Sequence, residues 1–345
     1  MTLQSWLSAD ELEELARQRL TPAVYDYVAG GAGAERSLEE NRAAFGRLRL
    51  RPRVLTGAGP VSTETTIFGR RLAAPVFVSP MGGPSHRLVH PTGVESAAAG
   101  ASDAGLAYMV SASSVPTLEL PGEALVCQVY LNDRSETARL VTEAERLGYL
   151  AVCLTVDVPV PALRRRNLRH GTGLPKPGGE PVQAGFANPA AYAKATSWSD
   201  VEWLRTLTSL PLIVKGIMTA EDASLAVQAG AAGVFVSNHG GRQIDASLAT
   251  IDALPEVVAA VAGKALVFID GGVRWSTDVA FALALGADAV GIGKSVMWAL
   301  AAGGREAVAD YLRSTVDDLS RTLAMLGVAS TADLRPDHVD LRFTR

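Results

Sequence analysis

The chain has 345 residues, 48% of them hydrophobic, and a formal net charge of −4. That length supplies an ample core, and a weak acidic balance with no block of five or six like charges excludes a nucleic-acid or acidic-membrane partner. The two cysteines, Cys127 and Cys153, lie inside apolar runs and read as buried reduced thiols in neighbouring strands, not as a disulfide or a metal pair.

The N-terminus, MTLQSWLSADELEELARQ, carries acids early and has no apolar signal-peptide core. No apolar stretch approaches the ~20 residues of a membrane helix, so a soluble cytoplasmic protein is expected. Residues 8–20 predict an amphipathic helix with Ser8 as its N-cap and acids in its first turn. A second short helix is expected from Ala34 to Phe45, after AGGAGA.

A different rhythm then begins. Short β-branched-rich apolar runs fall at 75–80, 107–111, 125–130, 151–157, 211–216, 233–238, 265–270 and 289–294. Nearly continuous apolar runs suit strands buried on both faces. The segments between them, such as ETARLVTEAERLG, TAEDASLAVQAG and STDVAFALALG, have helical periodicity and end at or near glycine. Eight strand–helix alternations predict a (β/α)8 TIM barrel. A doubly wound sheet fits less well, because the glycine-rich first turn is missing. Residues 159–197, rich in Gly and Pro, read as a functional lid or a disordered segment. The stretch after the eighth run reads as two closing helices. The chain divides as one domain: an N-terminal helical segment 1–60, a barrel 61–312 and C-terminal helices 313–345.

A barrel places its active site at the C-terminal strand ends. Those ends carry Pro80; Ser111; Gln128 and Tyr130; Thr155 and Asp157; Lys215; Ser237, Asn238 and His239; Asp270; and Gly293 with Lys294. Polar tips on every strand are what a cofactor-filled mouth would show. The loops after strands seven and eight, DGGVR and GIGK, pair glycines with Arg274 and Lys294, which suits a phosphate. SNHGGRQID puts a base, His239, and a carboxylate-binding cation, Arg242, on one short loop. Gly240 and Gly241 would let that backbone pass close to a flat ligand. The basic cluster Arg164, Arg165, Arg166 and Arg169 reads as a local anion site or a solvated face.

These motifs, with YDYVAGGAG, ENRAAFGRLRLRPRVL, CQVYL, LTVDVP and LPLIVKGIMTAEDA, resemble the FMN-dependent 2-hydroxy-acid oxidase and dehydrogenase family over about residues 12–326. The resemblance implies FMN as cofactor, a small-molecule 2-hydroxy acid as substrate, O2 or another electron acceptor, and a homotetramer. It implies His239 as catalytic base, supported by Asp157. Arg164 and Arg242 become carboxylate clamps assisted by Tyr27, and Tyr130 lies near the substrate hydroxyl. Lys215 stands beside the flavin. Pro80, Met81, Gly82, Ser111, Gln128, Thr155 and Ser237 become flavin or ribityl contacts. Asp270, Gly272, Arg274, Gly293 and Lys294 complete the ribityl-phosphate site. No metal is implied.

Three departures stand out. The loop after strand one, SPMGGPSHRLVHP, has two glycines and two extra residues, and its His86 and His90 read as surface or loop histidines. Lys294 replaces the usual arginine. The segment between strands four and five is short, which suits a larger substrate. VMWALAAGG leans toward the hydroxymandelate branch, so an aryl acid such as mandelate or 4-hydroxymandelate is expected. The alternatives are a small aliphatic acid (lactate or glycolate), a redox-neutral flavin isomerase, and a catalytically idle flavin-binding protein.

Overall fold

Eight short parallel strands close into a barrel in this computed structural model, which describes residues 8–82, 85–111, 117–131, 133–160, 162–170, 173–175, 181–183 and 196–340. In chain order they are β1 (Val76–Val78), β2 (Ala107–Ser111), β3 (Leu125–Val129), β4 (Ala151–Thr155), β5 (Leu212–Ile217), β6 (Gly233–Val236), β7 (Leu266–Ile269) and β8 (Ala289–Ile292). Each pairs with its successor, and β8 returns to β1. Seven fall inside the predicted apolar runs, and β5 runs one residue past its run, to Ile217.

The reason for the doubly apolar runs is the two-residue alternation of strand side chains. One set, including Phe77, Met109, Val126, Cys153, Ile213, Phe235 and Phe268, fills the barrel interior. The Phe77 ring meets Phe235 and Phe268 edge-on at 5.4 and 5.8 Å between centroids. The other set, including Val78, Val110, Cys127, Leu154, Val214, Val236 and Ile269, packs under the surrounding helices. Cys127 and Cys153 are thus free, buried and directed to opposite faces of the wall.

The interstrand helices form where the periodicity placed them, at Arg134–Arg146, Ala220–Gln228 and Ser276–Ala284. The N-terminal helix, Ala9–Arg19, begins with the expected Ser8 cap, closed by Glu11 in a reciprocal capping box. A helix at Pro22–Ala29, capped by Thr21 with Pro22 in its first turn, was not anticipated, because eight residues are too few for a periodic pattern. The next helix runs Arg36–Arg47, two residues later than predicted. Glu35 takes a left-handed φ of 67°, and the Asp245 carboxylate accepts from the N–H groups of Ala34 and Ser37. After β8 the chain forms two helices within Lys294–Leu326, as expected, and the break between them falls at Gly303–Gly304.

Two predicted loops contain more structure than expected. Between β4 and β5 the described part includes a one-turn helix, Arg165–Leu168, and a hairpin pairing Gly173–Pro175 with Pro181–Gln183. The rest of the expected lid lies outside the described residues. After β1, Ser85–Val89 is helical, and His86 is not a surface residue. It is 2% exposed, and its Nε2 lies 2.9 Å from the Tyr108 hydroxyl. Burial in that helix pushes its imidazole down to about 4. No helix among the described residues is long and apolar enough to cross a membrane.

Candidate active site

The inward alternation continues one pleat above the aromatic layer, and there the chemistry changes. Ser79, Ser111, Gln128, Thr155, Lys215, Ser237 and Asp270 each lie two residues past an inward apolar residue, at the ends of seven different strands or one residue beyond them. Lys215 rises above the Phe235 ring, with its ammonium 4.7 Å from the centroid. Its Nζ donates to Ser237 Oγ at 2.5 Å, and that hydroxyl donates to Asp270 at 2.6 Å. Burial alone would lower the Lys215 ammonium. The carboxylates of Asp270 and Asp157 outweigh it and hold the ammonium above its ordinary value.

Above this layer lies one cavity of about 580 Å³. The N-terminal helices roof it through Tyr27, Val28, Leu38 and Asn41. His239 enters its wall with Nδ1 turned to Asp157, 3.2 and 3.3 Å from the two carboxylate oxygens. Burial works against the Asp157 charge, but the His239 hydrogen bond and the His239 and Lys215 charges outweigh it, leaving the carboxyl below its ordinary value.

Three consecutive residues of this loop are left-handed: His239, Gly240 and Gly241, at φ of 60°, 64° and 71°. The two glycines differ in purpose. A Cβ at Gly240 would meet nothing, and Gly240 lines the cavity. A Cβ at Gly241 would stand 2.5 Å from the backbone nitrogen of Leu38, so Gly241 admits the helix Arg36–Arg47, not a ligand as predicted.

Both predicted clamps reach the cavity. Arg242 donates to the carbonyls of Val28 and Gly30 at 3.2 and 2.6 Å and lies over the Tyr27 ring. Arg164 donates to the Arg242 carbonyl at 3.3 Å and to Gln243 at 3.4 Å. Burial, with the Arg164 charge beside it, pushes the Arg242 guanidinium down to about 9, and burial lowers Arg164 as well. Two desolvated cations this close call for an anion. The rest of the basic cluster is divided: Arg166 pairs with Glu35, while Arg165 and Arg169 are exposed. Tyr130 is on the same wall, its hydroxyl pushed up by burial.

At the other end of the cavity the turns after β7 and β8 face each other. Asp270, Gly271, Gly272 and Arg274 meet Gly291, Gly293, Lys294 and Ser295 across it. The backbone of Asn41 closes on Gly272, where any side chain would collide. The helix starting at Lys294 points its N-terminus into this end. Lys294 donates to the Ala29 carbonyl at 2.8 Å, and burial beside Arg242 holds its ammonium well below the ordinary range. Arg274 pairs with Asp10 and Glu13 of the first helix, a link that nothing in the sequence pattern signalled.

Of the predicted site residues, Tyr27, Pro80, Met81, Gly82, Tyr130, Arg164, Lys215, His239, Arg242, Asp270, Gly272, Arg274, Gly293 and Lys294 line this cavity. Asp157, Ser111, Gln128, Thr155 and Ser237 do not. Asp157 stands behind His239, and Ser237 is fully buried between Lys215 and Asp270. Ser111 pairs in register with Gln128, and Thr155 with Lys215, so they continue the rim at the depth of the wall. Ser79, Asn41 and Glu13 line the cavity and were not singled out. Ser79 Oγ is buried with no hydrogen-bond partner, beside Gly291.

A profile of the FMN-dependent dehydrogenase family matches residues 16–341. The chain belongs to this family. It is 40% identical to glycolate oxidase 5 of Oryza sativa subsp. japonica, over 95% of this chain and 94% of that protein. It is 38% identical to an L-lactate oxidase of Nostoc sp., over 96% and 97%. Among solved structures, mandelate oxidase with (S)-2-phenylpropionate superposes with a TM-score of 0.88 at 40% identity, covering 97% of this chain and 98% of that one. This family member is therefore an FMN-dependent oxidoreductase that acts on the CH–OH group of 2-hydroxy acids.

Proposed function

We propose that the enzyme oxidises an (S)-2-hydroxy acid with an aryl side chain, of the mandelate or 4-hydroxymandelate kind, to the 2-oxo acid, with His239 as the base and O2 as the final electron acceptor. One observation carries this reading. An imidazole backed by a buried carboxylate shares a cavity with two desolvated guanidiniums. A base and an anion clamp side by side suit a substrate that bears a carboxylate next to the carbon that loses hydrogen.

Arg164 and Arg242 hold the carboxylate and regain through it the charge stabilisation that burial removes. Tyr130 reaches the substrate hydroxyl. His239 takes the proton at Nε2, because Nδ1 already faces Asp157. Asp157 orients the ring and stabilises the imidazolium that forms.

The donor set suits FMN. Arg274, Lys294, the glycine backbone of both turns and a helix N-terminus would hold the phosphate, with Asp270 and the unpartnered Ser79 hydroxyl beside the ribityl chain. Ser111, Gln128 and Thr155 would receive the polar edge of the ring system. Bound FMN supplies a two-electron acceptor. Lys215, kept cationic in the cavity lining, would favour the electron-rich form of that cofactor.

The aryl preference is supported by Tyr27, Val28, Met81, Tyr130 and Val158 on the wall, and by similarity to mandelate oxidase structures. Similarity to glycolate and L-lactate oxidases favours a small aliphatic acid as the second reading. Anaerobic mixing of the FMN-loaded enzyme with a panel of 2-hydroxy acids separates the two. (S)-mandelate should bleach the flavin fastest, and air should restore the colour with H2O2. Faster bleaching by lactate or glycolate establishes the aliphatic reading. No bleaching by any acid leaves a flavin-binding protein without this activity. We also propose a homotetramer, which sedimentation tests, and a cytoplasmic location, which suits the two free thiols.

A further inference from the structure

We propose that Asn41, on the helix Arg36–Arg47, is a positioning residue for the catalytic base: through a reciprocal amide pair with Asn238 it fixes the backbone that presents His239. The proposal rests on His239 being that base.

The two amides face each other completely. Asn41 Nδ2 donates to Asn238 Oδ1, and Asn238 Nδ2 donates to Asn41 Oδ1, each at 2.8 Å. They are 1% and 4% exposed, so water does not compete for them. Each amide is also held from outside the pair. Asn238 Oδ1 accepts from Gly241 N at 3.1 Å, and Asn238 Nδ2 donates to the Leu248 carbonyl at 3.0 Å. Asn41 Oδ1 accepts from Thr250 N at 3.3 Å. Flipping either amide would set oxygen against oxygen and nitrogen against nitrogen at once, so the orientations are determined.

This matters because the backbone beside Asn238 needs support. His239 is a non-glycine residue in the left-handed region, an uncommon conformation with a modest energetic cost, held here by its surroundings. Two of those surroundings come from the Asn41 helix. Its backbone at Leu38 closes on Gly241, and the Asn41 amide grips Asn238, so the residues on both sides of His239–Gly240 are held by one turn and a half of helix. In return Asp245, six residues beyond His239, accepts the N–H groups at the start of that helix.

The same asparagine shapes the opposite turn. Its carbonyl packs on Gly272, its Nδ2 lies against Gly271, and Thr250, bonded to Asn41, donates from Oγ1 to the Gly271 carbonyl at 3.2 Å. One buried residue from outside the barrel, through its amide at Asn238, Thr250 and Gly271 and its backbone at Gly272, therefore ties the loop after β6 to the turn after β7. The helix is part of the site's framework, not only its roof.

The test uses the full-length FMN-loaded enzyme with Asn41→Ala, Asn238→Ala and the double variant. Stopped-flow gives the limiting rate of flavin reduction and, separately, the dissociation constant of the 2-oxo acid product. Each single variant should lose about tenfold to a hundredfold in the limiting rate, the scale of a slight misplacement of a reacting group. Product affinity, which reads the arginines, should stay within about threefold. The double variant should be no slower than the slower single, because the two side chains act as one unit. FMN affinity by fluorescence titration should weaken in the Asn41 variants more than in Asn238→Ala, since only the Asn41 side chain reaches Gly271 and the Thr250 that bonds it. Should Asn41→Ala fail to fold, the isosteric Asn41→Asp replaces it: it keeps both acceptor bonds but sets a carboxylate oxygen against Asn238 Oδ1. A rate within threefold of wild type, multiplicative losses in the double variant, or equal losses of rate and product affinity would each overturn the proposal. Absence of flavin reduction in wild type would instead remove the assignment of His239 as base.

Discussion

Asp157→Asn removes one charge and almost nothing else, which makes it the sharpest probe of the His239 pair. The amide has the volume of the carboxylate and can still accept from Nδ1. What disappears is the attraction between a carboxylate and the imidazolium that forms when His239 takes the substrate proton. The two groups lie 3.2 Å apart, and the side chains are 14% and 22% exposed. Opposite charges at about 4 Å in an effective dielectric of about 20 interact by ~4 kcal/mol. Some of that is lost to neighbours, because Asp157 also faces Lys215. A loss of about 2–4 kcal/mol in the transition state remains, or about 30- to 1000-fold in rate. Anaerobic stopped-flow at saturating substrate measures it directly. Product affinity should hardly change, since Arg164 and Arg242 are untouched. Stability should fall modestly: the carboxyl sits below its ordinary value, so its charge stabilises the fold above the unfolded value near 3.8 and ceases to do so as pH falls through the folded one. A reduction rate within threefold of wild type, in a variant that keeps FMN, would refute the role of Asp157 and the electrostatic reasoning behind it.

Gly241→Ala and Gly240→Ala form a matched pair. Both place a methyl group on a left-handed residue, costing about 1–2 kcal/mol, but only Gly241 also collides with the helix at Leu38, adding about 1–3 kcal/mol. Urea unfolding should rank Gly241→Ala as clearly less stable, and equal midpoints would show that the helix does not bear on the loop. His86 predicts a pH dependence. Its imidazole is depressed from 6.5 to about 4 by burial, so the stability it confers is intact above about 6.5 and is lost as pH falls toward 4, by up to about 3 kcal/mol. The stability difference between wild type and His86→Gln should shrink over that window in chemical denaturation, and a constant difference would mean that His86 is not buried as described.

Much of the architecture is legible in the chain itself. Each barrel strand must be apolar on both faces, so eight short apolar runs separated by helical periodicity leave few folds to choose from, and the first polar residue after each run marks the mouth. His239, Arg242, Lys215 and Asp270 could be placed at that mouth by position alone. The opposite side of each interaction could not. His86 reads as polar and loop-borne, yet Tyr108 and the flanking helices bury it. Arg274 reads as a free phosphate ligand, yet it meets Asp10 and Glu13 more than 250 residues earlier.

Asn41 and Asp245 show the same limit most clearly. In sequence they are an amide inside a helix and an acid at the end of a glycine loop, with no pattern joining them. The identity of strands, their order and the polar rim follow from local alternation, which any stretch of chain carries within itself. The left-handed turn at His239, the choice of Gly241 over any other residue and the Asn41–Asn238 pair follow from a helix about 200 residues away being laid across the barrel mouth. Only the folded chain brings those atoms within hydrogen-bond range.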